Sequence, residues 1–240
     1  MRLPQNSPVK RFALPCIIVC AVILAAAAAY VYSRPWHRGF IVTPMYTLAH
    51  TNKTAALTFD DGPSRERTPR LLALLKKYNV TATFFMTGYH IGQYPEIAKA
   101  VYRDGHLIGN HSFHHRRLIF KSPSYIGREI DAADALIRNT GQTNVQYFRP
   151  PYCKKILLLP LLLKLRGKTL VTGTYDPPSE YKTPYNSTNI ANEVLENITP
   201  GAIIFLHDGS GDNADAFIDS VERIIQGLRA QGYVFARIDR

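Results

Sequence analysis

The chain has 240 residues, of which 46% are hydrophobic and 20% charged, and these values are typical of a globular protein with one sizeable domain. They exclude a wholly disordered chain, a collagen-like repeat and a polytopic membrane bundle. Of the net charge of +11, six positive charges fall within residues 1–55, which contain no acid, so the remainder is only mildly basic. Because it also carries no nucleic-acid-binding motif, we expect no nucleic-acid partner.

A short basic tail, residues 1–11, precedes an apolar stretch, residues 12–32, that has no charged residue over 21 positions. A helix of this length crosses a hydrocarbon core of about 30 Å. We expect a single-pass membrane anchor with the rest of the chain outside the cytoplasm. The alternatives are a signal peptide cleaved near residues 26–29, which leaves a secreted protein, and a buried core helix.

Residues 33–54 carry Pro35, Gly39 and Pro44 without sustained periodicity, which predicts a linker and entry segment before a domain at 55–240. In that domain, apolar or β-branched runs alternate with helical patterns, which predicts parallel βα units in a closed or nearly closed barrel of about seven strands. The active site of such a barrel lies at the carboxyl ends of its strands. The predicted strands are 55–59, 81–86, 107–109, 145–148, 168–172, 202–206 and 233–237, and the predicted helices are 69–78, 95–104, 125–139, 189–197 and 215–231.

Two adjacent carboxylates, Asp60 and Asp61, follow the first predicted strand and precede Gly62-Pro63. Neighbouring side chains of a strand point to opposite faces, so the two acids can share one site only where the strand breaks, and Gly62-Pro63 supplies the break. Two ionised carboxylates close together require a cation between them or a raised pKa. A solvated Asp-Gly turn is the alternative.

The segment 111–115, HSFHH, places His111 and His115 at i and i+4, which face the same way on a helical turn, while His114 points elsewhere. Two imidazoles and one carboxylate leave coordination positions open, which is typical of a catalytic metal rather than a structural one. Zinc is the expected ion, although Co²⁺, Mn²⁺ and Fe²⁺ use the same ligand types. A polar surface loop is the alternative.

Two further polar segments follow predicted strands. After Arg149, the stiff prolines of RPPY can aim the amide of Tyr152 at a ligand, and the arginine can hold a carboxylate. His207 ends the strand that runs through Leu206, and its ordinary pKa near neutrality suits a general acid. The alternatives are a solvated arginine in a proline-rich loop and a packed structural histidine.

With these four segments in this order, residues 55–237 resemble the polysaccharide deacetylase family, also called carbohydrate esterase family 4 or the NodB-homology domain. The resemblance implies an α/β fold, a distorted (β/α) barrel. It also implies a metal-dependent hydrolase that removes N-acetyl groups from N-acetylglucosamine units of peptidoglycan, chitin or a related polymer.

The resemblance further implies a role for each motif residue. It implies that Asp60 is the catalytic base, that Asp61, His111 and His115 bind the metal, that Arg149 holds Asp60, that Asp176 tethers Arg149, that His207 is the general acid, and that Pro150, the Tyr152 amide and Leu206 contact the substrate.

Two positions depart from the family pattern. The fourth motif reads YDPPSEY at 175–181, where the family has a tryptophan, and this leaves Glu180 as a second candidate partner of Arg149. Cys153 stands where the family commonly has glycine. If the backbone needs a positive φ at this position, the cysteine requires a reshaped loop, and the acetyl pocket changes with it.

A domain held outside the cytoplasm would meet a cell-wall or extracellular polysaccharide, which is the expected substrate. Nothing in the sequence indicates an oligomeric state. The apolar segment 156–165, ILLLPLLLKL, raises a second interpretation, the deacylation of a membrane-lipid-linked amino sugar, although a barrel helix buried against its neighbours explains this segment better. A third interpretation is a non-catalytic carbohydrate-binding module, but such a module would not need three metal ligands.

Overall fold

The computed structural model describes residues 8–49, 52–209 and 213–240, with side chains from residue 15 onward. Residues 1–7 of the predicted basic tail lie outside the described residues. Seven strands form one sheet in which the paired strands run parallel, so the predicted (β/α) architecture is confirmed. The strands are β1 (Thr54–Asp60), β2 (Thr83–Met86), β3 (Leu107–Asn110), β4 (Tyr147–Phe148), β5 (Thr169–Leu170), β6 (Ala202–His207) and β7 (Val234–Phe235).

The sheet has the order β5-β4-β3-β2-β1-β6, and β7 pairs with the start of β1. The entry segment lies between the two edges of this sheet. Met45 forms a bridge with Val171, directly after β5, and Thr47 forms a bridge with Ala202 at the start of β6. The sheet is therefore nearly closed by residues that the sequence placed before the domain.

The described part of the chain has eight α-helices, of which the first is almost fully exposed and the other seven surround the sheet. The helix at residues 88–93 was not predicted, because six residues are too few for a helical period to show. The five helices predicted in the domain are confirmed with small changes at their ends. The helices are α1 (Pro8–Ser33), α2 (Arg67–Lys77), α3 (Gly88–Gln93), α4 (Pro95–Arg103), α5 (Pro123–Arg138), α6 (Leu158–Leu165), α7 (Ser187–Asn197) and α8 (Ala214–Ala230).

The leucine-rich helix α6 has one buried and one exposed apolar face. Leu159 and Leu163 are buried in the core, but Leu157, Leu161 and Leu165 are exposed. These three follow each other at i, i+4 and i+8, so they form one apolar stripe on the outside of the domain. The helix is thus packed against its neighbours on the side of Leu159 and Leu163, as a barrel helix is, while its opposite face is exposed.

The polar residues at the ends of the strands lie at one edge of the sheet. Both faces of β1 are buried, which fixes the register of β1 against its neighbouring strands. Asp60 lies opposite His207 of β6 and opposite Phe85 of β2, and Asn110 of β3 lies opposite Met86, one residue further along β2. The residues that follow these strands therefore meet at the carboxyl edge of the sheet, as a parallel barrel requires.

Candidate active site

A pocket of about 330 Å³ opens at the carboxyl edge of the sheet. It brings together residues from loops that are far apart in the sequence. The lining consists of Trp36, Asp60, Asp61, His111, His115, Pro150, Tyr152, Cys153, Asp176, Tyr181, Phe205 and His207.

Asp60 and Asp61 both face this pocket because the backbone reverses at the end of β1. Asp61 has a φ of 71°, in the left-handed region, so its side chain does not continue the alternation of the strand. Its carbonyl oxygen is 2.6 Å from Nδ1 of His90, which fixes the turn. Its Oδ1 atom is buried and, within the described part of the chain, has no hydrogen-bond partner.

The two histidines approach Asp61 from a loop and not from a helix, so the expectation of a helical turn is wrong. Ser112 and His115 have φ values of 65° and 55°, which a helix excludes. The outcome is nevertheless the expected one, because the rings of His111 and His115 lie 4.8 Å apart. His114 points away, with Nδ1 at 2.7 Å from Oε1 of Glu129.

The donor set fits a divalent cation. Nε2 of His111 and Nε2 of His115 lie 3.4 Å and 3.1 Å from the unpartnered Oδ1 of Asp61. Nδ1 of His111 is held 2.7 Å from the carbonyl oxygen of Arg149, which turns Nε2 toward the pocket, as partners of ligand histidines commonly do. One ligand atom from each residue lies within 4.8 Å of the others.

The protonation states agree with this fit. Burial raises the pKa of Asp61, but the nearby imidazole of His111, followed by that of His115, outweighs it and holds the pKa well below its usual value. Burial, followed by the charge of His111, lowers the pKa of His115. At neutral pH the carboxylate is therefore ionised and the His115 imidazole is neutral, which are the forms that bind a metal.

Arg149 fixes the second carboxylate of the pocket. It is fully buried, and Nη1 donates to Oδ1 of Asp60 at 2.6 Å and to Oγ1 of Thr58 at 2.8 Å. Its guanidinium lies between the rings of Phe85 and Phe205, with Cζ 4.0 Å from each ring centroid. A planar cation clamped in this way leaves Asp60 one orientation, with Oδ2 toward the pocket.

Asp176 does not tether Arg149, so this expectation is wrong. The remaining hydrogen bond described for its guanidinium runs from Nη2 to the carbonyl oxygen of Thr172 at 2.8 Å. Asp176 instead accepts from the hydroxyl of Tyr181, which is 3.0 Å from both carboxylate oxygens. Asp176 lies in the loop that follows β5, and this loop contacts His207 and not Arg149. None of the hydrogen bonds described for Glu180 involves Arg149 either.

Glu180 is the partner of His207. Its Oε2 lies 2.9 Å from Nδ1 of the imidazole, and its Oε1 accepts from the backbone N–H of His207 at 2.8 Å. Burial lowers the pKa of His207, but the charge and hydrogen bond of Glu180 outweigh it and raise the pKa to about 10. Burial raises the pKa of Asp176 to about 6. His207 is therefore protonated at neutral pH, with Nδ1 toward Glu180 and with Nε2 3.3 Å from the hydroxyl of Tyr181 at the pocket.

A second group of possible ligands, Asp176, Glu180 and His207, also satisfies the distances for a cation. It differs from the first because its atoms already have partners: both oxygens of Asp176 accept from Tyr181, and both oxygens of Glu180 accept from His207. This group is a hydrogen-bonded network around a protonated imidazole.

Leu206 does not line the pocket, so its expected role in substrate binding is wrong. It is fully buried in the core that packs against the helices, because side chains alternate along β6. Phe205 and His207 face the pocket instead, and the alternation could have predicted Phe205. Trp36 was missed as well; its ring lies 5.1 Å from that of Phe205, and no pattern in the sequence indicates this contact.

Pro150 and Tyr152 lie at the pocket, as expected. Tyr152 is the second residue of a short 3-10 turn, Pro151–Cys153, where a backbone N–H has no partner within the turn. Tyr152 and Cys153 have φ values of 57° and 52°, so Cys153 adopts the left-handed conformation that a glycine would take at no cost.

Comparisons with known proteins agree with this geometry. A model of the polysaccharide deacetylase family matches residues 48–157. The peptidoglycan N-acetylmuramic acid deacetylase of Bacillus subtilis is 35% identical over 189 residues, which are 78% of this chain and 70% of the relative. The crystal structure of a peptidoglycan N-acetylglucosamine deacetylase superimposes with a TM-score of 0.76 at 28% identity, over 80% of this chain and 89% of the other. A carbohydrate esterase family 4 pseudoenzyme from Bacillus anthracis superimposes with a TM-score of 0.75 at 25% identity, over 82% of this chain and 68% of the other.

Proposed function

Because the chain belongs to the polysaccharide deacetylase family and is a polysaccharide N-deacetylase of cell-wall sugars, we propose that it hydrolyses the N-acetyl group of N-acetylglucosamine units in such a polymer. The family also contains a pseudoenzyme, so the proposal depends on the residues that this chain has. The observation that carries it is the buried, unpartnered Oδ1 of Asp61 beside two imidazoles and opposite a carboxylate clamped by Arg149.

We assign the metal site to Asp61, His111 and His115, and we propose Zn²⁺ as its ion, with Co²⁺, Mn²⁺ and Fe²⁺ as ions of similar ligand preference. A divalent cation in such a site acts as a Lewis acid on the acetyl carbonyl and makes water a better nucleophile.

Asp60 is the proposed general base. Its Oδ2 lies 3.8 Å from Nε2 of His111, at the edge of the cation site, while Arg149 holds its Oδ1. A carboxylate fixed in this position accepts the proton of the attacking water as the water oxygen bonds to the acetyl carbon. The amide N–H of Tyr152 is the proposed donor to the oxygen of the tetrahedral centre, since it has no partner within its turn.

His207 is the proposed general acid. When the bond between the acetyl carbon and nitrogen breaks, Nε2 of the protonated imidazole gives its proton to the departing amine. Glu180 keeps the imidazole charged and oriented through Nδ1. The products are acetate and a free amino sugar, and the proton that Asp60 took from water replaces the one that His207 gave.

The test is the release of acetate from peptidoglycan and chitin oligomers by metal-loaded and metal-stripped full-length protein. We expect release by the loaded protein, loss after chelation and recovery when Zn²⁺ is returned. Release that ignores chelation would contradict the metal assignment, and the absence of release from every acetylated substrate would contradict the proposed reaction.

A second candidate substrate is a membrane-lipid-linked amino sugar, and a specific observation favours it. The exposed leucine stripe of α6 begins at Leu157, two residues after Lys155 and five after the pocket residue Tyr152, so an apolar surface follows the pocket loop in the sequence. The acetate assay should therefore include a lipid-linked acetylated sugar in vesicles.

We propose that α1 is an uncleaved membrane anchor and that residues 55–240 form the catalytic domain outside the cytoplasm. Support comes from one stretch, Pro15–Ser33, that is long and apolar enough to cross a membrane and is almost fully exposed. Such a stretch near an N-terminus also fits a cleaved signal peptide, in which case the enzyme is secreted. The size of the protein after membrane extraction separates the two.

A further inference from the structure

We propose that the catalytic domain lies directly on the membrane surface, through a docking face formed by Phe120, Leu157, Leu161 and Leu165, so that the active-site pocket opens at the level of the lipid headgroups. The partner is a bilayer that contains anionic lipids. The inference rests on the proposed membrane anchor and says more than anchoring does, because an anchor alone leaves a domain free to tumble on its linker.

The chain after α1 is not free. Lys155 is buried, and its Nζ lies 3.2 Å from the carbonyl oxygen of Ser33 and 3.3 Å from that of Pro35. A cation at the carboxyl end of a helix is stabilised by the unpaired carbonyl groups there. At the next residue after Pro35, Oγ1 of Thr172 donates to the carbonyl oxygen of Trp36 at 2.9 Å. The domain is therefore tied to the last residue of α1.

The contact continues along the side of the helix. Nζ of Lys154 lies 5.4 Å from the ring centroid of Tyr30, which belongs to the last turn of α1. If α1 spans the membrane, its last turn lies among the headgroups, where tyrosine rings are commonly found. The loop that carries Lys154 and leads into Leu157 is therefore at headgroup depth.

This loop belongs to an exposed apolar surface. Phe120 is 85% exposed and Leu165 is 73% exposed, and grouped apolar exposure of this kind marks an interaction surface. A cavity of about 260 Å³ lies in this surface and is lined by residues 118–121 and 156–159. Residues 156–159 directly follow Lys154 and Lys155, which contact the end of α1, and the cavity joins them to residues 118–121. The bilayer that surrounds α1 is therefore the occupant that this surface meets.

The charges around the docking face complement anionic headgroups. Lys121 borders the cavity, Lys154 lies beside Tyr30, and Lys164 lies between the exposed Leu161 and Leu165. Long basic side chains can keep their charge among headgroups while their stems lie along apolar surface. A surface of leucine and phenylalanine bordered by lysine is typical of proteins that lie in the membrane interface.

The consequence concerns the route of the substrate. Trp36 is three residues beyond the end of α1 and Tyr152 is two residues before Lys154, and both line the catalytic pocket. With the domain seated in this way, an amino sugar reaches the pocket along the membrane surface.

The depth of the docking face can be measured by fluorescence in the full-length chain. Trp36 is the only tryptophan, so Trp36→Phe gives a background into which Phe120→Trp or Val234→Trp is introduced. Val234 is the matched control, since it is 61% exposed and lies on β7, which pairs with the start of β1, opposite the pocket. In vesicles of phosphatidylcholine and phosphatidylglycerol with brominated chains, we expect strong quenching at position 120 and none at position 234. Equal quenching at the two positions would overturn the proposal.

An activity measurement separates this inference from the proposed function. The double variant Phe120→Ser, Leu157→Ser should lose most of its activity on an acetylated sugar lipid in vesicles and keep its activity on soluble chitin oligomers, while Val234→Ser should keep both. A double variant that retains full activity on the sugar lipid would overturn the docking while leaving the deacetylase intact. If the variant also fails on the soluble substrate because it misfolds, the fluorescence comparison decides.

Discussion

The metal side of the pocket (Asp60, Asp61, His111, His115 and Arg149) comes from the ends of buried strands and the short loops that directly follow them, whereas the acid side (Asp176, Glu180, Tyr181 and His207) joins one strand-end histidine to a longer loop. Arg149, His111 and Asp60 are 0%, 2% and 3% exposed, while Tyr181 is 62% exposed. The two sides face each other across one pocket, yet they differ in how firmly their geometry is set.

This difference follows from what each side has to do. A cation needs its ligands in one arrangement, and the short loops that directly follow β1 and β3 supply it. A general acid needs a suitable pKa, which a single charged neighbour sets. Glu180 performs this task from the loop after β5, where the family pattern is altered. The metal side is therefore the part in which substitutions should abolish activity, and the acid side the part in which they should shift its pH dependence.

The largest effect is expected from loss of a metal ligand. His111→Ala removes one of three ligands and leaves the carboxylates of Asp60 and Asp61 without a shared cation, so bound metal should be lost. Activity should fall by more than the roughly 10⁴-fold that one acid–base group contributes. Metal content and acetate release measure the two effects. His114→Ala is the matched control, because His114 pairs with Glu129 and should keep both metal and activity.

The general base should give the next largest effect. Asp60→Asn keeps an oxygen for Arg149 but cannot accept a proton, so turnover should fall by about 10²- to 10⁴-fold while bound metal is retained. Asp215→Asn, on an exposed carboxylate paired with Arg70, serves as the control. Normal turnover in Asp60→Asn would show that another group accepts the proton and that the two carboxylates do not have separate roles.

The contrast between the two sides also explains what could be predicted from the sequence. Each metal-side motif is contiguous and follows a recognisable strand, so Asp60, Asp61, His111, His115 and Arg149 could be brought to one edge by the parallel topology alone. The helical turn proposed for the histidines was wrong, because left-handed residues such as Ser112 cannot be recognised from sequence.

The acid side could be predicted only in part. Its partners come from a loop with no period, so neither the pairing of Glu180 with His207 nor that of Tyr181 with Asp176 could be deduced from spacing. Leu206 was misassigned although the alternation of β6 excludes it from the pocket. Trp36 lies in the entry segment, more than 150 residues from Phe205 in sequence, and only the folded chain brings the two together.

An intermediate effect is expected where a loop supports the metal side. A Cβ atom on Gly209 would lie 2.3 Å from the carbonyl carbon and 2.4 Å from the Cβ of Asp61, so Gly209→Ala must displace this ligand. Metal affinity should fall by about 10- to 100-fold, as is usual when support of a ligand is lost, and excess Zn²⁺ should restore part of the activity. In Gly92→Ala the new Cβ meets nothing closer than 4.0 Å, so it should bind metal normally. Unchanged affinity in Gly209→Ala would mean that Asp61 is less firmly placed than the other ligands.

The smallest effect at neutral pH, and the most informative one for the acid side, is expected from Glu180→Gln. Because the charge of Glu180 raises the pKa of His207 to about 10, its removal should lower that pKa. The general acid must be protonated, so the alkaline limb of the activity profile should move to lower pH by about 1 to 3 units, the usual effect of one close opposite charge. Near pH 6 the variant should approach the parent enzyme. Glu193→Gln is the control, since Glu193 binds Ser179 of the same loop and does not contact the imidazole. An alkaline limb that stays in place in Glu180→Gln would mean that another group gives the proton to the departing amine, and the acid side would then have only a structural role.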